Sequence, residues 1–446
     1  MGVEQEILRA IDENREEILA FARDVYRHPE LGYKEKRTAA KVAEVFRARA
    51  LAVRESLAIT GVRADLRPEG ASSDVTVALI GELDAVVSPD HPHADPQTGA
   101  AHACGHHAQL AGVVGAAFAL SSPAVAAHLG GGVAFFAVPA EEYGEVEFKN
   151  GLKEQGLLRY GGGKCELIRI GAFDDITVSV THHSAPGVKG IKIGSETSNG
   201  FVSKVIRLRG RGAHAAAAPH LGINALNAAS LGLTALAYQR ETFQDADTVR
   251  VHPILTRGGE LVNVIPQDAT VEILVRGKHL EAILDADRKV DRSFKAGAMA
   301  LGAKVEILTA PGYLPVVAAP PAPEIEAAAR LVFPPEAIER VADGAHGTGS
   351  TDVGDLSYLM PVLNFTTGGM TGDLHSKDVD FFDEETAYIA TAKIFALTAY
   401  HLLKDGAQAA RAARAAYKPH FTKADYIAYM DALEKTETVD YGTEGK

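Results

Sequence analysis

Gly132-Val-Ala-Phe-Phe-Ala-Val138-Pro139-Ala-Glu141-Glu142 sets the architecture: an unbroken apolar run stops at a proline and is followed at once by two carboxylates. A strand without a polar side belongs in a sheet covered on both faces, which points to a parallel sheet between helices. Val75-Thr-Val-Ala-Leu-Ile80 has the same character and stops at Gly81-Glu82-Leu83-Asp84, and residues 176–181 read as a third short strand. Between the first two strands, 105–120 reads as a helix of small residues. Strands alternating with helices predict an α/β domain. In such sheets ligands gather beyond the carboxyl ends of the strands, where Asp84, Glu141 and Glu142 stand.

Further out, Ile7, Leu8, Ile11, Ile18, Leu19 and Val25 recur at helical spacing and predict one amphipathic helix over 4–27, ended by His28-Pro29. A second helix is expected over about 36–50. Beyond residue 195 the pattern changes. Residues 201–209 alternate as a half-buried strand, 224–238 read as a helix, 248–256 and 269–276 as strands, 279–301 as a helix and 305–308 as a strand. That order is a split βαβ sandwich. From Tyr313 the first style returns, through 362–365 to an apolar helix over 384–403, and the tail from Gly406 reads as a surface helix with a frayed end. The expected division is a catalytic domain in two parts, 1–195 and 311–405, an inserted domain, 196–310, and a C-terminal helix and tail, 406–446.

The chain has 446 residues, 45 Lys and Arg against 58 Asp and Glu, and a formal net charge of −13. That balance argues against a nucleic-acid or membrane-surface binder, since both need basic patches. It leaves room for a small anionic ligand held by one or two placed cations. Cys104 and Cys165 are too few for a disulfide framework and fit a reducing cytosol. The charged N-terminus lacks a secretory apolar run, and the most apolar stretch, 110–120, is about half of what a membrane helix needs. A cytoplasmic location without membrane or nucleic-acid partners is the expectation.

The strongest chemical signal is His102-Ala-Cys104-Gly105-His106-His107, directly before a helix. Cys-x-His in extended backbone puts both side chains on one face, and thiolate with imidazole suits zinc, nickel or manganese. A buried thiol beside surface histidines is the bland alternative. Glu141 and Glu142 can divide the work, one holding metal while the other takes a proton from water, or they can form a solvated acidic loop with Glu145 and Glu147. Asp84 would orient a ligand or the base, or cap a turn. His182-His183 follows the third strand, and His375 lies in Gly-Asp-Leu-His-Ser. Separate strand ends that each deliver Cys, His, Glu or Asp argue for one shared site.

His28-Pro-Glu-Leu-Gly32, Glu82-Leu-Asp84-Ala, His102-Ala-Cys-Gly-His106, Pro139-Ala-Glu-Glu142 and His183-Ser-Ala-Pro186 stand in the order typical of the aminoacylase and carboxypeptidase-like metallopeptidases, peptidase family M20. The set resembles the amidohydrolase branch, in which Cys-x-His replaces an Asp-centred arrangement. Gly210-Arg-Gly-Ala-His214, Asn263-Val-Ile-Pro266, Gly349-Ser-Thr-Asp-Val-Gly-Asp355 and Leu374-His375-Ser376 extend the likeness over nearly the whole chain. Ser-Thr-Asp-Val-Gly-Asp and the Phe-Asp-Asp before the histidine pair look closest to the p-aminobenzoyl-glutamate hydrolase group. Two departures stand out: His107 where the family usually has Asp or Asn, and Val86 in place of a proline.

The resemblance implies a zinc-aminopeptidase-like catalytic domain, with a mixed, mostly parallel sheet flanked by helices, and an inserted ferredoxin-like α+β lid or dimerisation domain. It implies two divalent ions, Zn²⁺ or Mn²⁺ with Co²⁺ or Ni²⁺ as alternatives. Cys104 would bridge them; Glu142 and His375 would complete one, and His106 and His183 the other. His183 is preferred to His182 because His-x-x-Pro is the family spacing. Glu141 would be the general base and Asp84 its supporting carboxylate. His214 resembles the histidine that in homodimers reaches the partner's site and helps stabilise the oxyanion. Asn263 and Arg276 resemble groups that hold the substrate, in particular its carboxylate. Alternatively His214 is a surface loop residue and Arg276 pairs with Glu272. The activity implied is hydrolysis of the amide of a small N-acyl or N-aroyl amino acid or an unusual dipeptide. The rival reading is a non-hydrolytic binding or partner subunit that keeps the scaffold.

Overall fold

Gly132–Val138 is buried along its whole length and lies parallel to Thr76–Glu82, which lies parallel to Val178–Ser184, which in turn lies parallel to Val362–Thr367. These strands are the centre of an eight-stranded mixed sheet in the computed structural model, which describes residues 2–318 and 320–442. The antiparallel hairpin Ala52–Leu57 and Gly61–Leu66 closes one edge, and the short strands Ile191–Ile193 and Ile338–Arg340 close the other. Helices cover the sheet. Among them His106–Leu120 is buried at every position, which explains why its sequence has no polar side.

The second sheet has five antiparallel strands in the order Arg250–Arg257, Asp268–Gly277, Gly200–Arg209, Lys304–Pro311 and Lys435–Asp440. The first four have the ferredoxin-like order, with Ala225–Tyr238 and Leu280–Leu301 on one face. Asp268–Gly277 alternates between half-buried and buried positions, and its inward Val271, Ile273 and Val275 pack with Val290 and Phe294. The fold is therefore a mostly parallel α/β domain joined to a smaller α+β domain.

Three expectations need correction. The N-terminal helix is two, Val3–Glu13 and Arg15–Arg27, because the chain leaves helical geometry at Asn14 (φ −99°, ψ 11°). The third strand does not stop before the histidine pair but runs on through Ser184, so His182 and His183 lie within it on opposite faces. The tail is not frayed over its described length. Helix Lys423–Leu433 starts with a Thr422–Asp425 capping box and buries Tyr426, whose hydroxyl donates to Asp355 at 2.8 Å. Lys435–Asp440 then finds its partners on the open edge of Lys304–Pro311. Among the described residues no helix is long and apolar enough to cross a membrane.

Candidate metal centre

The site forms where the central strands end. Gly105, at φ +97°, turns the chain from Cys104 into the helix that begins at His106; a side chain is disfavoured in that left-handed conformation. The loop carrying His375 is drawn over Cys104 by the hydrogen bond from His375 N–H to the Ala103 carbonyl, 2.8 Å. Two non-glycine residues here have left-handed backbone, Ala140 (φ +48°) and His375 (φ +67°). That conformation costs about 1–2 kcal/mol each and persists where the surroundings over-determine it. At Ala140 the buried Glu35 does so, accepting the Ala140 N–H at 2.8 Å and the Thr60 hydroxyl at 2.6 Å.

Two sets of donors meet at Cys104. Its Sγ lies 3.5 Å from His183 Nε2, and the ligand atoms of Cys104, His106 and His183 all fall within 4.8 Å of one another. Cys104, Glu142 and His375 do the same, with His375 Nε2 2.9 Å from Glu142 Oε1. His183 faces the site, whereas His182 points the other way and meets Thr367 Oγ1 at 2.7 Å. Asp84 joins the two sets. His106 Nδ1 lies 2.9 Å from its carbonyl and 3.3 Å from Oδ1, and its Oδ2 accepts the Glu142 N–H at 2.9 Å. Its contacts are thus with His106 and Glu142 rather than with the Glu141 carboxylate. Glu141 Oε2 stands 3.9 Å from His106 Nε2, and the Glu141 carbonyl accepts the Tyr313 hydroxyl. His107 packs against Tyr26 and Phe381 and meets Tyr388 Oη at 3.0 Å, away from the donors.

Divalent ions fit these residues. Thiolate, imidazole and carboxylate are a transition-metal donor set. Asp84, Glu82, Glu141, Glu142 and Asp352 crowd together with only Lys149 and Lys164 as buried lysines nearby among the described residues, and buried negative charge of that kind needs cations. Burial pushes the Cys104 thiol up, so a bound cation is what would release its proton. Burial would lower His106, but Cys104, Glu82 and Asp84 outweigh it and raise it well above the usual imidazole value. Glu141 is pushed well above the ordinary carboxylate range, first by burial and then by Glu82, Glu142 and Asp352. Burial acts likewise on Glu142, yet His375 holds it at about 2.

Residues 78–401 match the family model described as Peptidase family M20/M25/M40. The chain belongs to that family. It is 30% identical to the Xaa-Arg dipeptidase of Mus musculus over 370 residues, 79% of this chain and 77% of the relative. It is 27% identical to one of the chains of the p-aminobenzoyl-glutamate hydrolase of Escherichia coli (strain K12) over 313 residues, 68% of this chain and 60% of the relative. Among solved structures, a dinuclear metal binding peptidase of the M20 family from Bacillus subtilis superposes with TM-score 0.62 at 22% identity, covering 88% of this chain and 99% of that one. A putative aminohydrolase from methicillin-resistant Staphylococcus aureus gives 0.68 at 19% identity, covering 90% and 100%. This M20 chain is a hydrolase, and its fold is that of the family.

Three residues expected to serve this M20 site, His214, Asn263 and Arg276, lie on the α+β domain. Arg276 lies near enough to the donor sets that its charge acts to lower the His375 pKa, and Glu142 opposes the lowering of its own guanidinium by burial. Its guanidinium stands 5.9 Å from the Phe201 ring centroid, its buried Nε has no hydrogen-bond partner, and it forms no ion pair with Glu272 among the described residues. His214 and Asn263 are exposed and pack with each other's loops, through the His214–Val264 bridge and the Ala215 N–H to Asn263 carbonyl bond of 3.0 Å. No contact joins either to the donors among the described residues.

Sequence reasoning passed over a buried charge network under the donors. Lys164, fully buried, donates at 2.5 Å to both Glu82 Oε1 and Asp352 Oδ1, and its backbone N–H donates to Asp352 Oδ2 at 2.8 Å. Gly163 lets its helix approach, because a Cβ there would lie 1.6 Å from the Pro139 carbonyl oxygen. Glu82 and Asp352 sit in quoted motifs, but nothing in the sequence pairs them with Lys164. Lys164→Met should cost about 3–5 kcal/mol, since it leaves two buried carboxylates unpaired; a fall in the thermal unfolding midpoint measures it.

Proposed function

We propose that this chain hydrolyses the amide bond of a small N-acyl or N-aroyl amino acid or dipeptide, using two divalent ions that share Cys104. The observation that carries this reading is the pair of donor sets meeting at one thiol, each completed by residues from a different strand or loop. Glu142 and His375 would hold one ion, His106 and His183 the other. When bound, such ions polarise the amide carbonyl and lower the pKa of a nearby water from about 16 toward neutrality. Glu141, beside both donor sets but outside them, takes the proton from the attacking water and passes it to the leaving nitrogen. Asp84 keeps His106 Nε2 turned to the ion by occupying Nδ1, and it holds the Glu142 backbone.

Arg276 supplies the carboxylate contact, its guanidinium Nε free of internal partners and its charge 5.9 Å from the Phe201 ring centroid. Arg276→Met should raise KM for carboxylate-bearing substrates by about 10- to 100-fold, the worth of a charge-assisted hydrogen bond, while the amidated analogue is affected far less. His214 Nδ1 accepts the Ala216 and Ala217 N–H groups at 3.2 and 3.1 Å, which leaves the proton on Nε2 as a donor suited to an oxyanion. Because His214 and Asn263 contact the lid and not the donors among the described residues, they serve a second copy. Exposed Tyr238, Ile254, Leu255, Leu261 and Val262 on the same lid support a homodimer.

The test is a hydrolysis screen of N-acyl amino acids, β-alanyl and ordinary dipeptides and p-aminobenzoyl-glutamate, each with Mn²⁺, Zn²⁺, Co²⁺ or Ni²⁺. Turnover of at least one class, abolished by chelation, is expected. No turnover of any class with any of these ions would count against the reading.

A further inference from the structure

The turn that carries Glu141 and Glu142 is held through its backbone by buried side chains from four separate segments. Glu35 accepts the Ala140 N–H at 2.8 Å, the Tyr313 hydroxyl donates to the Glu141 carbonyl, Asp84 accepts the Glu142 N–H at 2.9 Å, and Lys149 donates from Nζ to the Glu142 carbonyl at 2.6 Å. Lys149 is the one of the four that brings a positive charge. It comes from the helix Val146–Glu154, where it is buried with Val146 and Asn150, and it reaches back along the chain to the carbonyl. Its ammonium lies over the rings of Tyr143, 4.8 Å from the centroid, and Tyr33, 5.6 Å.

Lys164 is spent on Glu82 and Asp352, whereas Lys149 forms no ion pair among the described residues. Its charge is balanced from a distance by Asp84, Glu35, Glu142 and Asp352 together. An ammonium bonded to the Glu142 carboxylate would compete with an ion. On the carbonyl it leaves the carboxylate to His375 and the ion. The Glu142 N–H belongs to the peptide plane before its Cα, and its carbonyl to the plane after it. With Asp84 holding the one and Lys149 the other, both flanking planes are fixed, and so is the direction of the Cα–Cβ bond. We infer that Lys149 is a positioning residue for Glu142, holding the backbone so that the carboxylate meets Cys104 and His375. The inference rests on the two-ion reading and adds to it the residue that aims one ligand of one ion.

The test is metal binding, measured apart from turnover, and the sign of the effect decides it. Loss of a nearby positive charge by itself tightens the binding of a cation, whereas loss of a group that orients a ligand weakens it. Wild-type chain, Lys149→Met and Lys149→Arg are stripped with chelator and titrated with Zn²⁺ against a chromophoric competitor, and bound ions are counted by elemental analysis. The wild type is expected to bind two ions per chain. Lys149→Met keeps the length of the side chain without its donor, and should bind one ion as before and the other about 10- to 100-fold more weakly. Lys149→Arg, which keeps donor and charge, should recover most of that loss. Adding Lys149→Met to His375→Ala should cost nothing further, because both act on the same ion. Lys149→Gln, one bond too short to reach the carbonyl, takes the place of Lys149→Met if that variant does not fold, with the same expectation. Unchanged or tighter binding of both ions in the folded variant, or equal weakening of both, overturns the positioning role and leaves the two-ion reading standing. A wild-type chain that binds no ion overturns both.

Discussion

Glu141→Ala is expected to fold, to keep both ions, and to lose about two to four orders of magnitude in turnover, the contribution of a positioned general base. The separation of binding from rate follows from where the side chain stands. Glu141 is not a member of either donor set that meets at Cys104, yet its Oε2 is 3.9 Å from His106 Nε2, within reach of a water between the sets. Its backbone is held independently of its carboxylate: Glu35 fixes the preceding peptide and the Tyr313 hydroxyl donates to the Glu141 carbonyl. Removing the carboxylate therefore leaves the strand end in place. Elemental analysis and circular dichroism on the same preparation show whether metal and fold are retained. Rates equal to wild type would remove Glu141 from the proton transfer.

Cys104→Ala should have a different signature, the loss of both ions together. Each set keeps only two of its three donors once the shared thiol is gone. Changing even a partner behind a ligand costs about 10- to 100-fold in affinity, so loss of a shared ligand should exceed about 100-fold for each ion. His375→Ala removes a donor from one set alone and should cost one ion. The contrast between two ions lost and one ion lost, read by titration, distinguishes a bridging thiol from a terminal one. The thiol sits in a buried, close-packed place, but its truncation removes a single heavy atom, which costs about 1 kcal/mol, so the variant remains measurable.

Much of the frame was legible because its strands are hydrophobic on both faces. Gly132–Val138 has the same bounds in the sequence reading and in the structure, since a continuous apolar run ended by Pro139 admits little else. The hairpin Ala52–Leu57 and Gly61–Leu66 is not legible: Arg54, Glu55, Arg63 and Asp65 make it look like solvated loop, although Arg63 is buried and paired with Asp65 and Asp175. Lys435–Asp440 is hidden in the sequence for a related reason. Its residues are polar, and its strand character comes from the partner edge rather than from its own propensity. In the site, choosing His183 over His182 agrees with strand alternation, which sends the two rings to opposite faces. The Lys164–Glu82–Asp352 network lay beyond reach, because its members come from three separate segments and only the folded chain brings them within 2.5 Å. Asp84, read as orienting a ligand or the base, makes its contacts with the candidate ligand His106 and with the Glu142 amide.

The central claim, a hydrolase whose chemistry depends on two ions sharing Cys104, is tested most directly by reconstitution. Chain stripped of metal should hydrolyse its N-acyl amino acid or dipeptide substrate at background rate, and activity should return on titration with Mn²⁺ or Zn²⁺ and level off at two ions per chain. Full activity in the stripped chain, unchanged by added metal, would contradict the account.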